Sequence, residues 1–259
     1  MTDAERRTAL EAIAAEVRVC TKCRLHQTRT KAVPGEGDPE TEVVFVGEGP
    51  GENEDRQGRP FIGRSGELLT ELIGSIGWRR DEVFITNVVK CRPPGNRDPQ
   101  PDEIEACSGF LRRQLEVLDP AVVVTAGKYS LASFRPGERI SATHGTSKPI
   151  DPATGAENAL AFAMYHPAFA LYQASNKQTL VDDIRLLPAA LIESRRRRET
   201  AIEPAPPPTP ETTPSIASEP EPTVTVTPDP DPALESPDPS TPSAPTPATD
   251  DATPQLTLF

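Results

Sequence analysis

Apolar residues recur along this chain in two rhythms. Between Ala4 and Val19 they fall at Leu10, Ile13, Ala14 and Val17, the spacing of one helical face. The same rhythm returns over Ser65–Ile76 through Leu68, Leu69, Leu72, Ile73 and Ile76, with Gly77 suited to end that helix. Pro101–Leu118 reads as a helix with proline at its start and acids in its first turn. Lys128–Phe134 reads as a short helix, and Thr179–Arg195 as a last one whose arginines sit at the favourable carboxyl end. Between the helices stand short unbroken apolar runs: Thr41–Val46, Val83–Val89, Ala121–Ala126 and Leu160–Tyr165. Such runs, bounded by turn residues, are strands buried on both faces. The alternation predicts an α/β fold of three layers, α/β/α, around a central, mostly parallel four-stranded sheet. Ligands of these sheets sit beyond the carboxyl ends of the strands, so the motifs after Val46, Val89 and Tyr165 are expected to meet at one edge.

Composition divides the chain. Residues 201–259 hold ten acidic side chains, 17 prolines and no Lys or Arg, whereas residues 1–200 hold 29 acids against 27 bases. Of the net charge of -12, -10 belongs to the tail and only -2 to the rest, which is free to carry a local basic face. A segment so poor in large apolar residues cannot offset its ordering entropy. The expectation is a domain over 1–197, a disordered acidic Pro/Thr-rich linker over 198–254 and a distinct peptide at 255–259. No run is long enough to span a membrane, and Met1–Leu10 lacks the apolar centre of a signal peptide. A soluble cytoplasmic protein is expected, in which four cysteines suggest metal or redox chemistry more than disulfides.

Those cysteines are Cys20 and Cys23, in a C-x-x-C pair, and Cys91 and Cys107. Four thiolates suit tetrahedral zinc or a [4Fe–4S] cluster, and spacing does not separate the two. His26 reads as a loop residue rather than a ligand. After the first strand, Gly47-Glu48-Gly49-Pro50-Gly51 matches neither a dinucleotide fingerprint nor a P-loop. Its glycines still allow close approach of a ligand to the backbone. With Glu54, Phe61 and nearby arginines, this loop points towards a base or sugar site.

Three stretches carry a resemblance: GEGPGENEDRQGRPFIGRSG at 47–66, FITNVVKCRPPGNRDPQPDEIEAC at 84–107 and MYHPAFAL at 164–171. Together with the cysteine positions, they closely resemble the iron–sulfur, or family 4, uracil-DNA glycosylases over residues 10–195. The resemblance implies a uracil-DNA glycosylase-like fold and hydrolysis of the N-glycosidic bond of deoxyuridine in DNA. It implies a [4Fe–4S] cluster on Cys20, Cys23, Cys91 and Cys107. It implies a uracil pocket of Gly47, Glu48, Gly49, Glu54, Phe61, Asn87 and His166. There Phe61 stacks on the base, the Asn87 amide reads it, and His166 donates to its O2. Glu48 and Glu54 are candidates to activate water, since Gly49 stands where a related family has an aspartate. Phe169 or Leu171 would enter the minor groove. Arg29, Lys31, Arg59, Arg64, Lys90, Arg92 and Arg97 would contact phosphates. A related variant traps DNA through a histidine after the second strand. Cys91–Arg97 contains none, so turnover is expected. His144 reads as a loop residue near the DNA.

The last five residues, Gln255-Leu256-Thr257-Leu258-Phe259, resemble the peptides by which repair proteins dock on a DNA sliding clamp. Leu258 and Phe259 would fill an apolar pocket while Gln255 reaches a polar one. A monomer acting on uracil-containing DNA and recruited to the clamp is the expectation. The rivals are a non-catalytic iron–sulfur or zinc DNA-binding adaptor and an electron-transfer protein.

Overall fold

A computed structural model describes residues 1–202 except Tyr172. Most of the expected linker and all of the expected clamp peptide, Gln255, Leu256, Leu258 and Phe259, lie outside the described residues.

The sheet has six strands: β1 (Glu36–Gly37), β2 (Val43–Gly47), β3 (Phe84–Asn87), β4 (Val122–Ala126), β5 (Ser147–Pro149) and β6 (Leu160–Met164), in the order β1-β3-β2-β4-β6-β5. The four apolar runs form its parallel centre, β3-β2-β4-β6. The expected count of four is short by two antiparallel edge strands, β1 and β5. These edges are two and three residues long and carry Gly37 and Pro149, so they have no apolar alternation to reveal them.

Alternation along each central strand divides the core. Val44, Val46, Phe84 and Val123 face one way, against Ile13 and Val17 of α1 (Asp3–Val19) and Phe110, Leu111 and Leu115 of α4 (Pro101–Leu118). Val43, Phe45, Ile85, Val122 and Val124 face the other way. They meet Leu69, Leu72 and Ile73 of α3 (Arg64–Ser75), Leu180 and Ile184 of α7 (Ala174–Ile184), and Leu187 and Leu191 of α8 (Leu187–Ile202). Three layers result, as expected. Shorter helices α2 (Glu52–Gln57), α5 (Lys128–Phe134) and α6 (Ile140–Thr143) follow β2, β4 and α5 respectively.

The expected last helix, Thr179–Arg195, is two helices. Arg185 and Leu186 separate them, and Pro188 occupies the first turn of α8, where its missing N–H costs nothing. Helix α8 also runs five residues past 197, where the linker was expected to have begun. Registers align the strand ends: Gly47 is opposite Asn87 across β2 and β3, and β4 pairs with β6 as far as Ala126 and Met164. The loops leaving these ends share one edge of the sheet.

Candidate active site and cysteine centre

The pocket begins at Gly47. A Cβ there would lie 2.5 Å from Phe61 Cζ and closer still to Asn87 Oδ1, so only glycine lets both side chains close over the strand end. Phe61 adopts φ 48°, a left-handed conformation that a phenylalanine resists. Two devices hold it there. Glu54 Oε1 accepts the N–H groups of Ile62 and Gly63 at 2.9 and 2.8 Å. Gly66 leaves room for the Phe61 carbonyl, which any Cβ at position 66 would strike. Glu54 is thus engaged as a clamp on the Phe61 turn.

Asn87 is 1% exposed, and its Oδ1 has no hydrogen-bond partner. Backbone bonds from Val88 N to Gly47 O and from Val89 N to Glu48 O continue the β2–β3 pairing past the strand end and fix its position. His166 follows β6, and its ring stacks with Phe61 at a centroid distance of 5.5 Å. His166 Nδ1 accepts the Ala168 N–H at 3.1 Å, which leaves the proton of a neutral ring on Nε2. His166 as a whole residue is half-buried. Even so, the surrounding protein pushes its pKa down to about 4, against the upward pull of Glu54. It is therefore neutral at physiological pH.

Glu48 and His166 approach each other across Gly127. A Cβ on Gly127 would stand 2.5 Å from Glu48 Oε1 and 3.2 Å from His166 Cβ. Burial raises the Glu48 pKa, and hydrogen bonding to the Tyr129 N–H, at 3.4 Å, partly offsets this. The structure therefore brings Gly47, Glu48, Phe61, Asn87 and His166 together. Gly49 adjoins them, and a Cβ there would meet Val89 Cγ2 at 2.8 Å. Sequence reasoning missed Gly127 and Tyr129, because their roles depend on β4 lying beside β2 and β6.

Beside the pocket, Tyr165 stacks on Phe169 at 4.3 Å and contacts the His144 ring at 4.8 Å. His144 Nδ1 lies 2.9 Å from Asp183 Oδ1, so His144 is a packed and paired residue rather than a bare loop histidine. Phe169 is 38% exposed while Leu171 is half-buried. Among the expected phosphate contacts, Lys31 and Arg64 are exposed. Arg59 is paired with Glu36 and Arg97 with Glu103, while Arg29 donates to Cys91 Sγ and the Arg18 carbonyl. Lys90 is 1% exposed, which rules it out as a phosphate contact. Its position in the apolar run VVKC was the available signal.

Cys20, Cys23, Cys91 and Cys107 line one cleft, walled by Val17, His26, Arg29 and Phe110. N–H groups point at the sulfurs: Arg29 Nη1 to Cys91 at 3.1 Å, Lys90 N to Cys107 at 3.3 Å and Lys22 N to Cys20 at 3.5 Å. His26 donates Nδ1–H to the Cys23 carbonyl at 2.7 Å. Burial pushes the Cys23 and Cys91 thiols up, and Cys107 up to about 11, so the thiolate form needs a positive centre. Among the described residues, no three His, Cys, Asp or Glu side chains group as ligands of one metal ion. The four sulfurs line the same cleft. An all-sulfur donor set of four cysteines fits an iron–sulfur group.

Comparison with known proteins follows the same lines. Residues 34–185 match the family described as the Uracil DNA glycosylase superfamily. The type-4 uracil-DNA glycosylase of Sulfurisphaera tokodaii is 47% identical over 192 residues, covering 73% of this chain and 87% of that one. That of Thermotoga maritima is 45% identical over 181 residues, covering 69% and 93%. The type-5 uracil-DNA glycosylase of Thermus thermophilus is 34% identical over 140 residues, covering 46% and 64%. With a superfamily match across the whole sheet and type-4 relatives aligned over most of their length, this chain belongs to the type-4 uracil-DNA glycosylases.

Proposed function

We infer that this enzyme, a uracil-DNA glycosylase by family, takes uracil into the pocket bounded by Gly47, Phe61, Asn87 and His166. There it hydrolyses the N-glycosidic bond of deoxyuridine and leaves an abasic site. The observation that carries this reading is the buried, unpartnered Oδ1 of Asn87 packed beside Phe61. Such an orphan acceptor is costly unless a ligand supplies the donor. Uracil N3–H is that donor, and uracil O4 takes the amide N–H. Cytosine presents the reverse pattern and leaves both partners unmatched. Pockets of this kind discriminate by roughly 10⁴-fold or more.

Phe61 supplies an aromatic face for the extruded base. As the C1′–N1 bond breaks, negative charge develops on the ring, and the neutral Nε2–H of His166 at O2 stabilises it. Glu48, as its carboxylate, takes a proton from the water that attacks C1′. Glu54 acts on the base through the Phe61 turn that it clamps. Phe169 is the residue offered to the duplex beside the pocket, and Lys31 and Arg64 face its phosphates. A non-catalytic adaptor would have no use for the orphan amide.

Cys20, Cys23, Cys91 and Cys107 would hold a [4Fe–4S] cluster. When bound, it would supply thiolate cross-links between the N-terminal segment, the loop after β3 and α4. Gln255, Leu256, Leu258 and Phe259 would dock on a DNA sliding clamp, a reading supported by their sequence alone. A cytoplasmic monomer is proposed on the resemblance alone; among the described residues, none of the helices is long and apolar enough to cross a membrane.

The test is release of uracil from oligonucleotides, with abasic sites cleaved and counted. Asn87→Ala and His166→Ala are expected to bind the oligonucleotide like wild type and to release uracil about 10²- to 10³-fold more slowly. Variants that bind and turn over normally place the reaction elsewhere.

A further inference from the structure

We propose that Lys90 is a positioning residue that ties the uracil-reading amide of Asn87 to the four-cysteine centre. The proposal rests on the assignment of Asn87 given above. Lys90 lies three residues after Asn87 and one before Cys91, inside the wall between pocket and cleft. Its Nζ donates to Thr86 Oγ1 at 2.6 Å, to the Asn87 carbonyl at 2.8 Å and to Gln114 Oε1 at 2.7 Å. These three acceptors match the three donors of an ammonium group. Two of the acceptors are themselves anchored: Thr86 Oγ1 and Gln114 Nε2 both donate to the Pro34 carbonyl, at 2.9 and 2.8 Å.

The backbone of the same residue reaches the other way. The Lys90 N–H donates to Cys107 Sγ at 3.3 Å, and its carbonyl accepts from Val33 N at 2.8 Å. One residue therefore holds the peptide of Asn87 with its amine and a cysteine sulfur with its amide. Gln114 and Cys107 both belong to α4, so that helix touches Lys90 at both ends of the link.

Stability alone does not account for this arrangement. Burying an amine among neutral oxygens is expensive, and an apolar side chain of similar length would occupy the space at lower cost. A fully satisfied buried polar network does fix a unique geometry. Asn87 needs that geometry, because displacement by about 1 Å takes a recognition group out of register and costs about 10²-fold. Movement of Cys107 would reach Asn87 through Lys90, and reciprocally a base held by Asn87 would be felt at the sulfur.

The experiment compares wild type, Lys90→Met, Gln114→Leu and Asn87→Ala as holoproteins. Gln114→Leu removes one anchor of Lys90 and alters neither Asn87 nor a cysteine. Calorimetry measures affinity for free uracil, visible absorbance reports the cluster, and turnover of a uracil oligonucleotide gives kcat and KM. Lys90→Met is expected to weaken uracil binding and lower kcat about 10-fold, with KM for the oligonucleotide changed much less. Gln114→Leu should move both in the same direction by less, and it carries the test if Lys90→Met fails to fold. Saturating uracil should perturb the cluster absorbance of wild type and not that of Lys90→Met. Unchanged uracil affinity and kcat in both Lys90→Met and Gln114→Leu, or no perturbation in wild type, would overturn the proposal. If Asn87→Ala itself leaves uracil affinity intact, the pocket assignment fails instead. If it abolishes affinity while the other two leave it unchanged, only the link fails.

Discussion

Pocket and cysteine cleft are neighbours in the fold but are built on opposite principles. The pocket holds its groups at a cost: a phenylalanine at φ 48°, a buried amide oxygen without a partner and a histidine whose surroundings resist its charge. The cleft is arranged to receive bonds, with four sulfurs facing inward and N–H donors from Arg29, Lys90 and Lys22 aimed at three of them. Strained and unsatisfied groups are expected where binding or catalysis needs them, with the cost met by stabilising contacts elsewhere. The difference suggests a division of labour in which the cleft stabilises and the pocket works.

The sharpest test of that division removes a sulfur. Cys91→Ser is expected to lose visible absorbance and about 4 kcal/mol of stability, lowering Tm by roughly 10 °C in a chain of this size. A colourless Cys91→Ser with wild-type Tm would leave the cleft without its stabilising role. Glu48→Gln acts on the pocket and reads out through pH. Burial raises the Glu48 pKa, so the folded protein favours its protonated form. That contribution to stability is present at low pH and is lost as pH rises through the raised value. Catalysis runs the other way, because a base must be ionised. Wild-type kcat/KM should fall as pH drops through a value above the ordinary glutamate range, while His166, at about 4, stays neutral. Glu48→Gln should flatten this limb and lower kcat about 10²-fold, without a loss of Tm. An unaltered acid limb in Glu48→Gln would assign it to another group. The smallest effect concerns Asn87→Ala: because Oδ1 has no partner to lose, Tm should move by no more than about 2 °C even as uracil release fails.

Periodicity made the layers legible, since long helices and fully buried strands leave strong patterns. Pro101–Leu118 and Lys128–Phe134 fall at the boundaries that their residues predict. Strands β1 and β5 are not legible because they are too short to alternate, and the apolar spacing that continues across Pro188 hides the break before α8. The pocket residues were legible through the resemblance of three loops, which ordinary spacing rules would not have assembled. What those loops could not show was three-dimensional: Glu54 spends its carboxylate on the Phe61 turn, Gly127 admits Glu48 beside His166, and Lys90 is buried between two sites rather than reaching for phosphate.

The central claim is that Asn87 and His166 meet one pyrimidine. Titrating free uracil into the labelled protein, and following the Asn87 side-chain amide and the His166 imidazole by NMR, tests it without depending on turnover. Both sets of signals should shift together along one saturation curve, with the imidazole remaining neutral throughout. Uracil that binds and shifts neither group would contradict the account.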